Sequence, residues 1–124
     1  MQLLLKYVAP AHSIYYVITG LWPLVSIGTF QKVTGPKTDL WLVKTAGVLI
    51  TVIGVVMGMA ARRPSAKPQR EIAPLAVGSA LGLAGIDVVY VAQGRIRPVY
   101  LLDALAEVLL AGAWITVVRW SRSA

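Results

Sequence analysis

The chain has 124 residues, of which 57% are hydrophobic and only 14% are charged, and its formal net charge is +7. A soluble domain of this length needs more polar surface than so few charges supply, so long apolar stretches indicate membrane helices. The absence of cysteine excludes disulfides and thiolate chemistry, and a single histidine, His12, argues against a transition-metal site. We expect no cofactor and no metal.

Four apolar segments predict a polytopic all-α membrane protein with one transmembrane domain over residues 1–124. Its helices are expected over residues 11–33, 39–61, 72–92 and 98–120. Each helix has about 20 residues, which at a rise of about 1.5 Å per residue matches the hydrocarbon thickness of a bilayer. In the first helix, Pro23 is expected to cause a kink or strain near Thr19 and Gly20.

Short polar links separate these segments. Gly35 begins a Gly-Pro stop, after which Thr38 or Asp39 is suited to cap the second helix. Residues 62–71, RRPSAKPQRE, predict a loop, and Gly94 is a candidate C-cap for the third helix. Because short links make neighbouring helices antiparallel, we expect an up-down four-helix bundle.

The basic residues lie at the ends of the apolar segments, which favours contact with lipid headgroups and argues against nucleic acid. Four lie on the side of the two short links: Lys32, Lys37, Arg95 and Arg97. Seven lie on the side of both termini and the central loop: Lys6, Arg62, Arg63, Lys67, Arg70, Arg119 and Arg122. The positive-inside rule therefore predicts that both termini lie in the cytoplasm.

A weak internal repeat relates the two halves of the chain. A shift of 59 residues places Gly94 on Gly35 and Tyr100 on Trp41. Two alternatives stay open, a duplicated helical hairpin or a chance match between hairpins of equal length.

Two GxxxG patterns mark candidate packing positions on the second and third helices. They are formed by Gly54 with Gly58 and by Gly78 with Gly82. Small residues allow helix backbones to approach closely in lipid. We favour packing within the chain over contact with a second copy.

Four ionisable residues fall within the non-cytoplasmic half of the predicted bundle. They are Lys44, Asp87, Asp103 and Glu107. An ionised side chain at the centre of a membrane helix costs about 2.5–3.5 kcal/mol. We therefore expect all four to face the interior, with Lys44 paired to Asp103 or Glu107.

One lysine leaves two carboxylates without a partner. A protonated carboxyl group, Arg95, Arg97 or a bound cation is expected to balance them, and Tyr90 and Tyr100 are candidate hydrogen-bond donors. Three interpretations stay open: a polar network that fixes helix register, a pocket for a small ligand, an ion or protons, and a docking site for a partner subunit.

Other polar and aromatic residues suggest simpler roles. His12 and Glu71 fall near the cytoplasmic face, where capping or interfacial contact is expected. Several tyrosines and tryptophans fall near helix ends and predict aromatic belts: Tyr7, Tyr15, Tyr16, Trp22, Trp41, Trp114 and Trp120.

The segments FQKVTGPKTD and LVKTAGVLITVIG resemble those of small bacterial membrane proteins of the DoxX-like kind. The segment GIDVVYVAQGRIRPVYLLDA resembles a recurring segment of uncharacterised four-helix bacterial membrane proteins, and both resemblances imply a location in the bacterial inner membrane. The resemblance covers most of the chain in hydropathy. It implies a four-helix bundle and an association with redox or quinone-linked membrane enzymes, and it transfers no catalytic residue.

We therefore expect a non-enzymatic membrane protein with an intramembrane polar site, acting as a ligand-binding or accessory subunit. Its expected partners are membrane lipids, with a larger membrane complex or a second copy of the chain. One alternative is a small proton-coupled transporter. Another is an enzyme that acts on a lipid or quinone through the carboxylates.

Overall fold

The computed structural model describes residues 2–63 and 67–123, and within these ranges every regular element is a helix. The elements are α1 (Gln2–Val25), α2 (Ile27–Thr34), α3 (Leu40–Ala61), α4 (Lys67–Ala92) and α5 (Tyr100–Ser123). The predicted all-α class is confirmed for this part of the chain.

Three helices of the described chain, α3, α4 and α5, are each long and apolar enough to cross a membrane. The helices α1 and α2 also pass this test when they are taken together as one broken span, which would be the fourth. The chain bends by 112° between them. The chain therefore has the helices of a membrane protein, by length and composition.

The start and the break of the first helix differ from the sequence prediction. α1 begins at Gln2, and it continues through Pro23 without breaking near Thr19 or Gly20. The break comes at Ser26, where the backbone leaves helical geometry before α2. The Trp22 ring meets Phe30 edge-on across this bend, with ring centroids 5.4 Å apart. α2 is thus a separate helix that packs back against the end of α1.

The central polar segment is also shorter than predicted. Residues 67–71 already belong to α4, so the expected loop over 62–71 is wrong in its second half. Pro68 is compatible with this early start, because proline is tolerated in the first turn of a helix. The predicted glycine stops are correct, since Gly35 and Gly94 follow α2 and α4 with φ of +100° and +72°.

In the N-terminal hairpin, α1 packs on α3 through glycines. A Cβ atom added to Gly47 would lie 2.6 Å from the carbonyl oxygen of Gly20, so the two backbones are in direct contact. Farther along, a Cβ on Gly54 or Gly58 would meet Ser13, and the Ser13 hydroxyl donates a 2.7 Å hydrogen bond to the Gly54 carbonyl. The first GxxxG pattern therefore lies at a close helix crossing.

In the C-terminal hairpin, α4 packs on α5 through alanines. Ala73, Ala76, Ala80 and Ala84 of α4 are buried at helical spacing. The second GxxxG pattern is not part of this contact, because a Cβ on Gly78 or Gly82 would meet nothing within 4 Å. Its predicted role in packing within the chain is wrong, since both glycines lie on an exposed face of α4.

Candidate functional site

Two carboxylates lie on the same buried helix faces as the alanines of the C-terminal hairpin. On α4, Asp87 follows Ala84 at a spacing of three, and on α5, Glu107 lies between Ala104 and Ala111. Residues three or four apart share one face of a helix. The same spacing that buries the alanines therefore buries Asp87 and Glu107, which are 5% and 1% exposed.

Two neighbouring tyrosines of α1 donate hydrogen bonds to carboxylates of α5. The Tyr16 hydroxyl donates to Glu107 Oε2 over 2.7 Å, and the Tyr15 hydroxyl donates to Asp103 Oδ1. These bonds join the two hairpins. We call Tyr15, Tyr16, Asp87, Asp103 and Glu107 the tyrosine–carboxylate cluster.

Two carboxylate oxygens of the cluster have no hydrogen-bond partner. Asp87 Oδ2 and Glu107 Oε1 are both buried and unbonded among the described residues. An ionised carboxylate oxygen only accepts hydrogen bonds, so each of these two oxygens needs a donor.

A cavity of about 530 Å³ lies between the hairpins and includes the cluster in its wall. Most of the wall is apolar or aromatic, with Trp22 and Phe30 from the bend and Tyr100 from the start of α5. α3 contributes its Val43, Ala46, Gly47 and Ile50. The volume of this cavity falls within the range of about 300–1,000 Å³ that is usual for small-molecule sites.

Lys44 does not join this cluster. It is exposed and absent from the cavity wall, so the predicted pairing with Asp103 or Glu107 is wrong. Its neighbour Val43 is the residue that faces the cavity. One residue turns a helix by about 100°, which carries the Lys44 side chain away from α5.

The two predicted arginines line a different cleft, also of about 530 Å³, between the α2–α3 and α4–α5 links. Arg97 Nη1 donates to the carbonyl oxygen of Lys32 over 3.0 Å, and Arg95 lies over the Tyr90 ring at 5.7 Å. Tyr90 is not in the wall of the main cavity, whereas Tyr100 is. Neither arginine balances the carboxylates.

Lys37, which the sequence did not single out for the site, is in the wall of both the cavity and the cleft. Its ammonium group donates to the carbonyls of Thr34 and Gly35 over 3.0 and 2.9 Å. In the described chain, Asp87, Asp103 and Glu107 form no ion pair, so the cluster has no cationic partner of its own.

A second buried polar contact lies deeper in the core. His12 is fully buried, and its Nδ1 accepts a 2.9 Å hydrogen bond from Trp114 Nε1. The interfacial position expected for His12, and the aromatic-belt position expected for Trp114 and Tyr16, are wrong because all three belong to the core. Neither His12 nor Trp114 is in the cavity wall.

No family model, curated protein or solved structure matches this chain. The resemblance to DoxX-like proteins therefore stays a prediction. Within the described residues, no group of three or more histidine, aspartate or glutamate side chains is arranged to hold a metal ion. The arrangement is instead suited to accept hydrogen bonds from a molecule with an apolar body and a donating end.

Proposed function

We propose that the chain is a small multi-spanning membrane protein that binds an amphiphilic small molecule between its two hairpins. In this proposal it acts alone or as the ligand-binding or accessory subunit of a membrane complex. The observation that carries the proposal is the pair of unbonded, buried oxygens on Asp87 and Glu107, two residues that line an otherwise mainly apolar cavity.

Buried acceptors without partners favour a ligand over a purely structural network. A buried polar atom left unbonded costs about 1–3 kcal/mol, and a register-fixing network is expected to satisfy its members. Here Tyr15 and Tyr16 each satisfy one oxygen, and the remaining oxygens lie in cavity-lining residues. A ligand donor that reaches these oxygens removes the cost.

Ligand binding is tested with three probes that share a phenylethyl body: 2-phenylethylguanidinium, 2-phenylethanol and 3-phenylpropionate. Calorimetric titration of the protein in nanodiscs, with empty nanodiscs subtracted, is expected to show saturable binding of at least one probe. Ala106→Phe narrows the cavity and is expected to weaken that binding at least tenfold, because Ala106 is in its wall.

The control is Ala92→Phe, which places the same ring at an exposed position at the end of α4. It is expected to leave binding unchanged. Absence of saturable binding for all three probes, or equal binding by the Ala106→Phe variant, would contradict the proposal.

We further infer four spans in the bacterial inner membrane, arranged up and down as two related hairpins, with both termini cytoplasmic. The excess of basic residues on the side of α1's start and the α3–α4 link supports this orientation. Because the chain has no cysteine, single cysteines report topology without interference.

An impermeant maleimide applied to the outside of spheroplasts is expected to label Thr38→Cys. Arg63→Cys is expected to react only after permeabilisation. The reverse pattern would overturn the orientation.

A second candidate function, proton-coupled transport, is favoured by the three carboxylate side chains that line one cavity, those of Asp87, Asp103 and Glu107. In this proposal protons and a cationic ligand compete for the same carboxylate oxygens, and such competition is required for proton-coupled exchange. Proteoliposomes with an acidic interior are expected to accumulate labelled 2-phenylethylguanidinium if the protein is a transporter. A parent protein that binds the probe without accumulating it is a receptor or accessory subunit.

A further inference from the structure

We propose, on the basis of the function proposed above, that the ligand is an organic cation with N–H donors, of the ammonium or guanidinium class. Its donors bond to the free oxygens of Asp87 and Glu107, and its apolar part fills the cavity. Binding releases a proton held by the cluster.

The hydrogen-bonding pattern selects for donors. Glu107 Oε2 and Asp103 Oδ1 are each occupied by a tyrosine hydroxyl, while Glu107 Oε1 and Asp87 Oδ2 are free. An ionised carboxylate oxygen only accepts. A planar guanidinium group or an ammonium group offers several N–H donors at once, whereas an alcohol offers one.

The charges around the cluster select for a cation. From α1 the groups that face it are the hydroxyls of Tyr15 and Tyr16, from α4 the carboxyl of Asp87, and from α5 those of Asp103 and Glu107.

α3 contributes no charged side chain to the cavity wall. The α2–α3 link contributes Lys37, whose ammonium group is bonded to backbone carbonyls. Buried charges need a partner or neutralisation, so this site holds either protons or an external cation.

The aromatic wall fits the same ligand class. Tyr15, Tyr16, Trp22, Phe30 and Tyr100 line the cavity beside the carboxylates. Aromatic faces attract cations, with a contribution of about 0.5–2 kcal/mol that grows when water is excluded. They also pack against an apolar ligand body. An anionic ligand gains no such attraction and is repelled by the carboxylates.

The phenylethyl series separates this inference from the broader proposal. 2-Phenylethylguanidinium is expected to bind at least tenfold more tightly than 2-phenylethanol, and 3-phenylpropionate is expected to bind least. A guanidinium group stays charged at any working pH. Its affinity is therefore expected to rise with pH solely because protons compete for the carboxylates.

The decisive variant is Glu107→Gln, which keeps the size of the side chain and removes its charge. The tenfold preference for the cation over the alcohol is expected to disappear. Glu71→Gln is the matched control, since Glu71 is an exposed residue outside the cavity wall. It is expected to retain the parent's preference.

If Glu107→Gln does not fold, Asp87→Asn and the pH dependence of the parent give the same information. Equal affinity of the parent for the alcohol and the cation would overturn the inference and leave the cavity as a ligand site. Affinity for the cation that does not change with pH would overturn the competition with protons.

Discussion

The interfaces within the hairpins and the interface between them are built from different residues. Within each hairpin, helices meet through small residues, with backbone contact at Gly20 and Gly47 and alanines along α4. Between the hairpins, α1 meets α5 through hydrogen-bonded side chains, which include Tyr16 with Glu107 and His12 with Trp114. The cavity lies at this second interface.

The difference explains why the cavity lies between the hairpins and not within one of them. Glycine and alanine bring helices so close that no space remains between them. Large polar and aromatic side chains hold helices farther apart, and they leave space wherever they do not fill the gap. The contacts within the hairpins thus leave little space, and the contact between them contains the cavity.

The largest effect is expected from Trp114→Ala at the interface between the hairpins. Trp114 is fully buried and bonded to His12, so its loss leaves a large void and an unpartnered Nδ1. The free energy of unfolding is expected to fall by about 3–5 kcal/mol. Denaturant titration in detergent, followed by circular dichroism, measures it. Trp41→Ala, at a site 67% exposed, serves as the control and should have little effect on stability.

A smaller loss is expected from Gly47→Val within the N-terminal hairpin. The new Cβ would meet a backbone oxygen of Gly20, which has no side chain that can move aside. Overpacking of this kind costs about 1–3 kcal/mol. Gly78→Val is the control, because that position opens onto free space. Equal stability of the two variants in the same titration would rule out the close approach of α1 and α3.

The smallest effect is expected from Tyr16→Phe, which removes one hydroxyl from the inter-hairpin contact. Glu107 Oε2 loses its donor, and stability is expected to fall by about 1 kcal/mol. Tyr7→Phe is the control, since the Tyr7 side chain is 54% exposed. If both variants match the parent in denaturant titration, the hydroxyl contributes nothing to joining the hairpins.

Hydropathy and turn residues predicted the helical class and the positions of α3 and α5 closely, because those segments are long, mainly apolar and clearly ended. They failed at α1. The first helix was predicted to begin at Ala11, whereas α1 begins at Gln2 and includes both Lys6 and Pro10. The bend at Ser26 has no strong signal, since serine is common in helices and turns alike.

The site was predicted in part. Spacing alone places Asp87 and Glu107 on the alanine stripes, and the burial of both follows from it. On α1, the four-residue spacing places His12, Tyr16 and Gly20 on one face of the helix. This spacing indicates that Tyr16 is buried, which the aromatic-belt interpretation missed. The sequence does not show which way the Lys44 side chain faces. Because α3 is apolar on every side, its hydrophobic pattern does not indicate how the helix is rotated about its own axis.

Because Asp87, Asp103 and Glu107 line the cavity, most of the acidic side chains of the chain do not lie on its outer surface. The chain has twelve basic and five acidic residues, so Asp39 and Glu71 are the acidic side chains left outside the cavity. The outer surface is therefore much more cationic than the formal net charge suggests.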